Sequence, residues 1–195
     1  MSILRNLFAI IGLLVVLSLV AAGIKFTPMI TQLTKFDSKA LDTYAELITK
    51  LIETGNAAAA TVWKTPVKDG LSVTDVEEAM KSVATEYNIK NVGELPLSKQ
   101  ISLMSDKKFR LLKIYMYCNP LTAAKMVDYN DAFSAYLPCR VSLVEDKKGK
   151  LWIYSLNMDM MIYGGTPLPP ALKKEALRVK EIIQAIMNRG ASGEF

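Results

Sequence analysis

Two thiols are the residues best suited to chemistry in this chain. Cys118 ends a segment that alternates apolar and polar side chains, Cys139 opens a later one, and there is no third cysteine. Such a pair serves as a structural disulfide, as a redox couple, or as two small buried side chains, and the sequence leaves all three open. A disulfide needs the two Cα atoms within about 7 Å. A helical return to an antiparallel neighbour would bring them together, whereas a parallel crossover would hold them at opposite sheet edges. Arg140 adjoins Cys139 but points to the other face of a strand, so it is badly placed to lower that thiol's pKa. Met116, Met158, Met160 and Met161 join the cysteines as soft ligands suited to Cu(I) or to a haem contact. Irregular core filling is the commoner use of such methionines, and no other cofactor or metal is implied. Tyr115, Tyr117, Trp152 and Tyr154, with Met158, Met160 and Met161, form a candidate contact patch.

What is missing narrows the chemistry further. The chain has no histidine, which removes the commonest general base, the commonest metal ligand and every triad built on imidazole. Zinc would be short of its usual ligands, and c-type haem attachment has no motif. Gly164-Gly165 is a turn signal rather than a phosphate loop. The carboxylate pairs Asp42/Glu46 and Glu77/Glu78 read as solvated helix faces. The net charge of +5 is spread along the chain without a basic stripe, so nucleic acid is not an expected partner. A mildly basic surface suits an anionic bilayer better. No convergent catalytic set emerges, and a non-enzymatic role is favoured.

The elements that must position these residues begin with Leu7 to Ile24, 18 residues without a charge. As a helix this run spans about 27 Å, close to the hydrocarbon thickness of a bilayer. A cleaved signal peptide ending near Val20-Ala21-Ala22 is the rival, but the apolar run exceeds a normal signal core. The expected organisation is a single membrane anchor (1–25), a juxtamembrane connector and amphipathic helix (26–58), one domain (59–190) and a flexible tail (191–195). Phe26 to Phe36 reads as connector. Asp37 or Ser38 then caps a helix that runs to Thr54 and stops at Gly55, with Leu41, Tyr44, Ile48, Leu51 and Ile52 on one face. That face either packs on the domain, stands between it and the bilayer, or docks another membrane subunit.

Within the domain, Thr61 to Val67 reads as a strand. Thr74 to Glu77 has capping-box form and opens a helix with Val76, Met80, Val83, Ala84 and Tyr87 on its inner face. Ile89 to Leu97 is a short strand and Ser98 to Ser105 a helical turn. Arg110 to Cys118 alternates, with Leu112, Ile114, Met116 and Cys118 on the apolar face and Lys113, Tyr115 and Tyr117 on the other. Short helical pieces over Leu121 to Ala135 lead to a strand at Pro138 to Glu145. Asp146 to Gly149 makes a hairpin turn, and Leu151 to Met160 returns. Pro169-Pro170 opens a last helix, with Leu172, Ala176, Val179, Ile183 and Ile186 inward and Gly190 as its stop.

Three strings in register, Cys118-Asn119-Pro120, Leu137-Pro138-Cys139-Arg140-Val141 and the Gly149 hairpin, resemble the bacterial domain-of-unknown-function 302 family. The match is clear over about Ile89 to Met161 and looser from Thr61. The resemblance implies Asn119 and Pro120 closing a strand and Leu137 and Pro138 opening the next. It also implies a compact α/β (α+β) domain with helices on one face of a mixed or antiparallel sheet of about 4–5 strands, and homodimers among small soluble members. It brings no catalytic residues.

Together these features describe a bacterial inner-membrane, single-pass protein whose domain lies on the periplasmic side. The expected role is a non-catalytic accessory subunit that contacts the lipid bilayer and either other membrane-complex subunits or its own copies. The alternative is a thiol-redox, small-ligand or metal-binding protein using Cys118 and Cys139.

Overall fold

The computed structural model describes residues 2–195 and shows one long apolar helix followed by an α+β domain. The first helix, α1 (Ser2–Leu33), overruns the expected connector. Apolar side chains continue past Lys25 at Phe26, Met29, Ile30 and Leu33, and Pro28 removes only a single ladder hydrogen bond. Threonine hydroxyls reinforce that turn, Thr27 donating to the Gly23 carbonyl at 2.6 Å and Thr31 to that of Thr27 at 2.9 Å. Within Leu4–Leu33 an 18-residue window reaches a mean hydropathy of 2.9 and is uncovered by the rest of the chain, so the helix is long and apolar enough to cross a membrane.

Helix α2 (Ala40–Thr54) ends as expected on Gly55, whose φ of 62° closes it in the left-handed region. Its start is not a side-chain cap. Asp37 instead accepts from the Lys39 amide at 3.1 Å, and its own amide donates to the Gly165 carbonyl at 2.8 Å. The linker at Ala57 is a single turn, α3 (Ala57–Ala60), capped by Asn56.

Five strands follow, β1 (Val62–Pro66), β2 (Lys90–Leu95), β3 (Leu112–Cys118), β4 (Cys139–Glu145) and β5 (Leu151–Leu156). They pair antiparallel throughout in the order β1-β5-β4-β3-β2, with a bulge in β2 between Asn91 and Gly93. Helices α4 (Val73–Glu86) and α8 (Pro170–Ser192) pack on each other and on one sheet face, around Val141, Leu143, Ile153, Tyr115 and Tyr117. The capping box of α4 lies two residues earlier than read, between Ser72 and Asp75, because Asp75 reaches back to the Ser72 amide at 2.7 Å. Tyr87 is exposed at the end of that helix.

α8 also runs further than its glycine implied. Gly190 sits inside the helix and Gly193, at φ 73°, ends it. A Cβ at Gly190 would lie 2.5 Å from Met80 Cγ, so this glycine marks where α4 and α8 touch rather than where α8 stops. Ala191, assigned to a flexible tail, is buried and its carbonyl accepts from the Lys68 amide at 2.8 Å.

Between β2 and β3 lies α5 (Leu97–Ser105). Between β3 and β4 come α6 (Pro120–Tyr129) and a 3₁₀ turn, Asp131–Tyr136. After β5 the chain leaves the sheet at Leu156, and Met160 and Met161 fall in a short helix, α7 (Asp159–Tyr163), instead of extending the strand.

Candidate functional site

The crossover from β3 to β4 is built by the residues singled out in the sequence. Asn119 caps α6, its side chain accepting from the amides of Leu121 at 3.1 Å and Thr122 at 3.2 Å, and Pro120 occupies the first helical position, where no amide hydrogen is needed. Asn130 caps the 3₁₀ turn in the same manner, and the chain re-enters the sheet through a cis Leu137-Pro138 bond. Gly149 closes the β4–β5 hairpin at φ 83°.

This crossover covers one end of the sheet and leaves an apolar pocket with a void of about 50 Å³. Its walls come from Tyr117, Cys139 and Leu156 on the sheet, Met126 and Phe133 on the crossover, Met158 and Met161 beyond β5, and Ala176 and Val179 on α8. Among its polar groups, the Ser155 hydroxyl donates to the Arg140 carbonyl at 2.8 Å.

The two cysteines are brought to adjacent strands but not to each other. Tyr117 pairs directly with Cys139 across β3 and β4, so Cys139 shares the helix-covered face of Tyr117. Cys118, one residue further along, alternates to the other side of the strand, yet at this strand end it also borders the pocket. Both thiols are free. The antiparallel return carries both to the same end of the sheet, but one residue out of register and unbonded. Burial pushes the Cys139 thiol up to about 11 and raises that of Cys118 as well. Neither is a thiolate near neutral pH, which is what nucleophilic exchange would require.

The expected aromatic patch divides in the same way. Tyr115 and Tyr117 lie in the core under α4, while Trp152 and Tyr154 occupy the uncovered face, with the Lys64 ammonium 3.7 Å from the Trp152 ring centroid. Arg140 is exposed on that face opposite Met116. The alternation of β3 is as read, but its tyrosine face, not the face of Leu112, Ile114, Met116 and Cys118, is the inner one.

A polar cluster explains this inversion, and the sequence reading missed it. Glu77 on α4 accepts from the Tyr115 hydroxyl and from Lys113 Nζ at 2.9 Å, and Lys113 also bonds Glu94 on β2 at 2.7 Å. Asn91 donates to Glu94 at 2.9 Å. Burial opposes charge on Glu77 and on Lys113, but the hydrogen bonds outweigh it, so Glu77 titrates below the usual carboxylate range and Lys113 above the usual lysine range. Burial and Glu77 together drive Tyr115 far upward. These groups line a cleft of about 470 Å³, yet Glu77, Lys113 and Tyr115 are shifted away from neutrality, the opposite of what proton transfer near pH 7 needs.

The cluster is a stabilising network with a measurable signature. Tyr115→Phe is expected to lower stability by about 1–2 kcal/mol, the worth of a hydrogen bond to a charged group at a partly open site. Because the folded-state pKa of Glu77 is depressed, its contribution is present above the unfolded carboxylate range and is lost as pH falls through the folded value. Urea midpoints measured from pH 7 down to 3 should therefore fall less steeply for the variant than for the parent. Parallel curves would remove the network from the stability account. Among the described residues, no three His, Cys, Asp or Glu side chains converge as metal ligands.

Comparison with known proteins places this geometry. No curated protein matches the chain. Among solved structures, the uncharacterized conserved protein DUF302 from Bacillus stearothermophilus aligns with a TM-score of 0.53 at 17% identity, over 66% of this chain and 97% of its own, which shows a shared fold. The sequence pattern of the Domain of unknown function DUF302 matches residues 63–190. That span runs from β1 nearly to the end of α8 and leaves α1, α2 and α3 outside. The crossover, the hairpin and the two packing helices thus identify the chain as a member of the DUF302 family, whose function is unknown.

Proposed function

We propose that this protein is a membrane-tethered, non-catalytic binding module, an accessory subunit of a membrane-associated assembly, with its domain on the periplasmic side of a bacterial inner membrane. The observation that carries this reading is the orientation of α2. One side of that helix is fastened to the domain: Ala40 and Thr43 are buried, and the Tyr44 hydroxyl donates to the Gly164 carbonyl at 2.6 Å. The other side presents Leu41, Ile48 and Ile52 at 72, 54 and 78% exposure. An amphipathic helix that turns its apolar stripe outward, six residues after an apolar helix of membrane length, is built to be covered by something else. Arg5 ahead of the apolar run supports the outward orientation.

A protein partner is the occupant this role requires. A photo-crosslinking residue at Ile52, in the full chain extracted gently from native membranes, is expected to trap a defined second polypeptide, another copy of the chain included. The same probe at Leu121, exposed on α6, should trap none. Ile48→Glu with Ile52→Glu should abolish the adduct while changing domain stability by no more than about 0.5 kcal/mol, as is usual for exposed positions. A monomer that yields only lipid adducts from Ile52 would sink the accessory-subunit reading. The thiol-redox alternative draws no support from two unbonded thiols that burial holds above the ordinary cysteine range.

A further inference from the structure

Sulfur is concentrated in one place in this molecule. The chain has ten methionines and two cysteines, and Met126, Met158, Met161 and Cys139 all line the pocket beneath the β3–β4 crossover. They arrive from separate parts of the fold: Met126 from α6, Met158 from the residue before α7, Met161 from within α7, and Cys139 from the start of β4. Met126 and Met158 are buried, at 4 and 6% exposure. A void of about 50 Å³ is well below the roughly 150 Å³ that holds a benzene ring. It suits a single ion, not an organic cofactor.

The donor set and its surroundings choose the ion. Three thioethers and one thiol are soft ligands, which favour Cu(I) over the harder divalent metals. Charge points the same way. A dication bound by one thiolate would leave a net positive charge against walls of tyrosine, leucine and valine, a costly burial without a counter-ion. Cu(I) with one thiolate is neutral, and thioethers add donors without adding charge.

We propose that this pocket is a Cu(I) site, with Cys139 as its thiolate ligand and Met126, Met158 and Met161 as its thioether ligands. Loading breaks the Cys139 S–H bond and forms a Cu–S bond. The proton passes to solvent, the copper leaves its previous donor as Cu(I), and no group is oxidised or reduced. This site is independent of α2 and extends the molecule's role from contact to soft-metal carriage.

The test is an anaerobic titration of the reduced full chain in detergent with Cu(I), against the chromogenic chelator bicinchoninate. One equivalent of Cu(I) should be withheld from the chelator, with a metal shell made only of sulfur in X-ray absorption. Cys139→Ser should weaken retention roughly a hundredfold, and Met158→Leu or Met161→Leu roughly tenfold each, the scale on which metal-site substitutions act. Leucine conserves methionine's volume, and circular dichroism would confirm that these variants remain folded. Met104→Leu, at an exposed position that does not line the pocket, should retain copper like the parent. The proposal is overturned if the parent surrenders all its copper, if Met158→Leu and Met161→Leu hold it unchanged, or if Met104→Leu loses as much as Cys139→Ser.

Discussion

Replacing Asp37 with alanine is expected to cost the folded domain about 3–5 kcal/mol, the penalty for breaking a buried ion pair from one side. Asp37 is only 4% exposed. Its carboxylate pairs with Lys173 on α8 and accepts from the Lys39 amide. Lys39 and Lys173 each sit 5.1 Å from the Tyr163 ring centroid, so the substitution strands two ammonium groups beside one aromatic face. The bond from Lys173 is the main cause that holds Asp37 below the ordinary carboxylate range, against an opposing contribution from burial. A depressed folded-state pKa gives stability that is complete above the unfolded value, near pH 4, and disappears as pH falls through the folded one. The parent should therefore lose more stability on acidification than Asp37→Asn does. Urea unfolding of the full chain in detergent at pH 7 and pH 3 measures both effects. A variant within 1 kcal/mol of the parent at pH 7 would show that the junction between α1 and the domain is held by something other than this pair.

Gly190→Val should be nearly as damaging, at about 3 kcal/mol, the upper end of the usual cost of overpacking. Its Cβ would meet Met80 Cγ at 2.5 Å and Ile153 Cδ1 at 3.5 Å, and both neighbours are fully buried. Two helices and the sheet converge there, so no side chain can retreat into solvent. Gly190→Ala should cost less, because the gain in helix propensity of about 1 kcal/mol offsets part of the clash. Adding Met80→Ala to Gly190→Val should recover stability, although Met80→Ala alone is destabilising. That reversal of sign in a double-mutant cycle is the decisive reading. Strict additivity would mean that the contact between α4 and α8 adapts by moving as a whole.

Much of this fold was legible in the chain because its strongest signals are local. The stripe of Leu172, Ala176, Ile183 and Ile186 marks α8, and Asp146 to Gly149 marks the hairpin, with no tertiary information required. The three family strings carried the crossover for the same reason. What escaped were choices made between elements. The alternation of β3 shows two faces but not which is covered, and hydrophobicity alone selects Leu112, Ile114 and Met116. The structure selects the tyrosines because Glu77 and Glu94 satisfy Lys113 and Tyr115 at the rim of the core. A lysine interleaved with two tyrosines was the available clue, since a charge on a covered face demands a partner on the covering helix. Cys118 and Cys139 misled likewise, because their relation depends on a register that two separate strand patterns cannot express. Gly190 looked like a terminator because close packing and chain termination call for the same residue.

Under the proposed membrane tether, the kink in β2 bears on how many copies can share one bilayer. Proteins confined to a surface meet far more often than in bulk, and an open sheet rim there invites endless stacking through main-chain bonds. Here one rim is bent at Asn91 and Gly93 and carries an outward lysine, Lys90, while the other ends in Pro66, which has no hydrogen to donate. Crowding in the plane of the membrane can thus rise without seeding fibrils, and any assembly must grow through side chains.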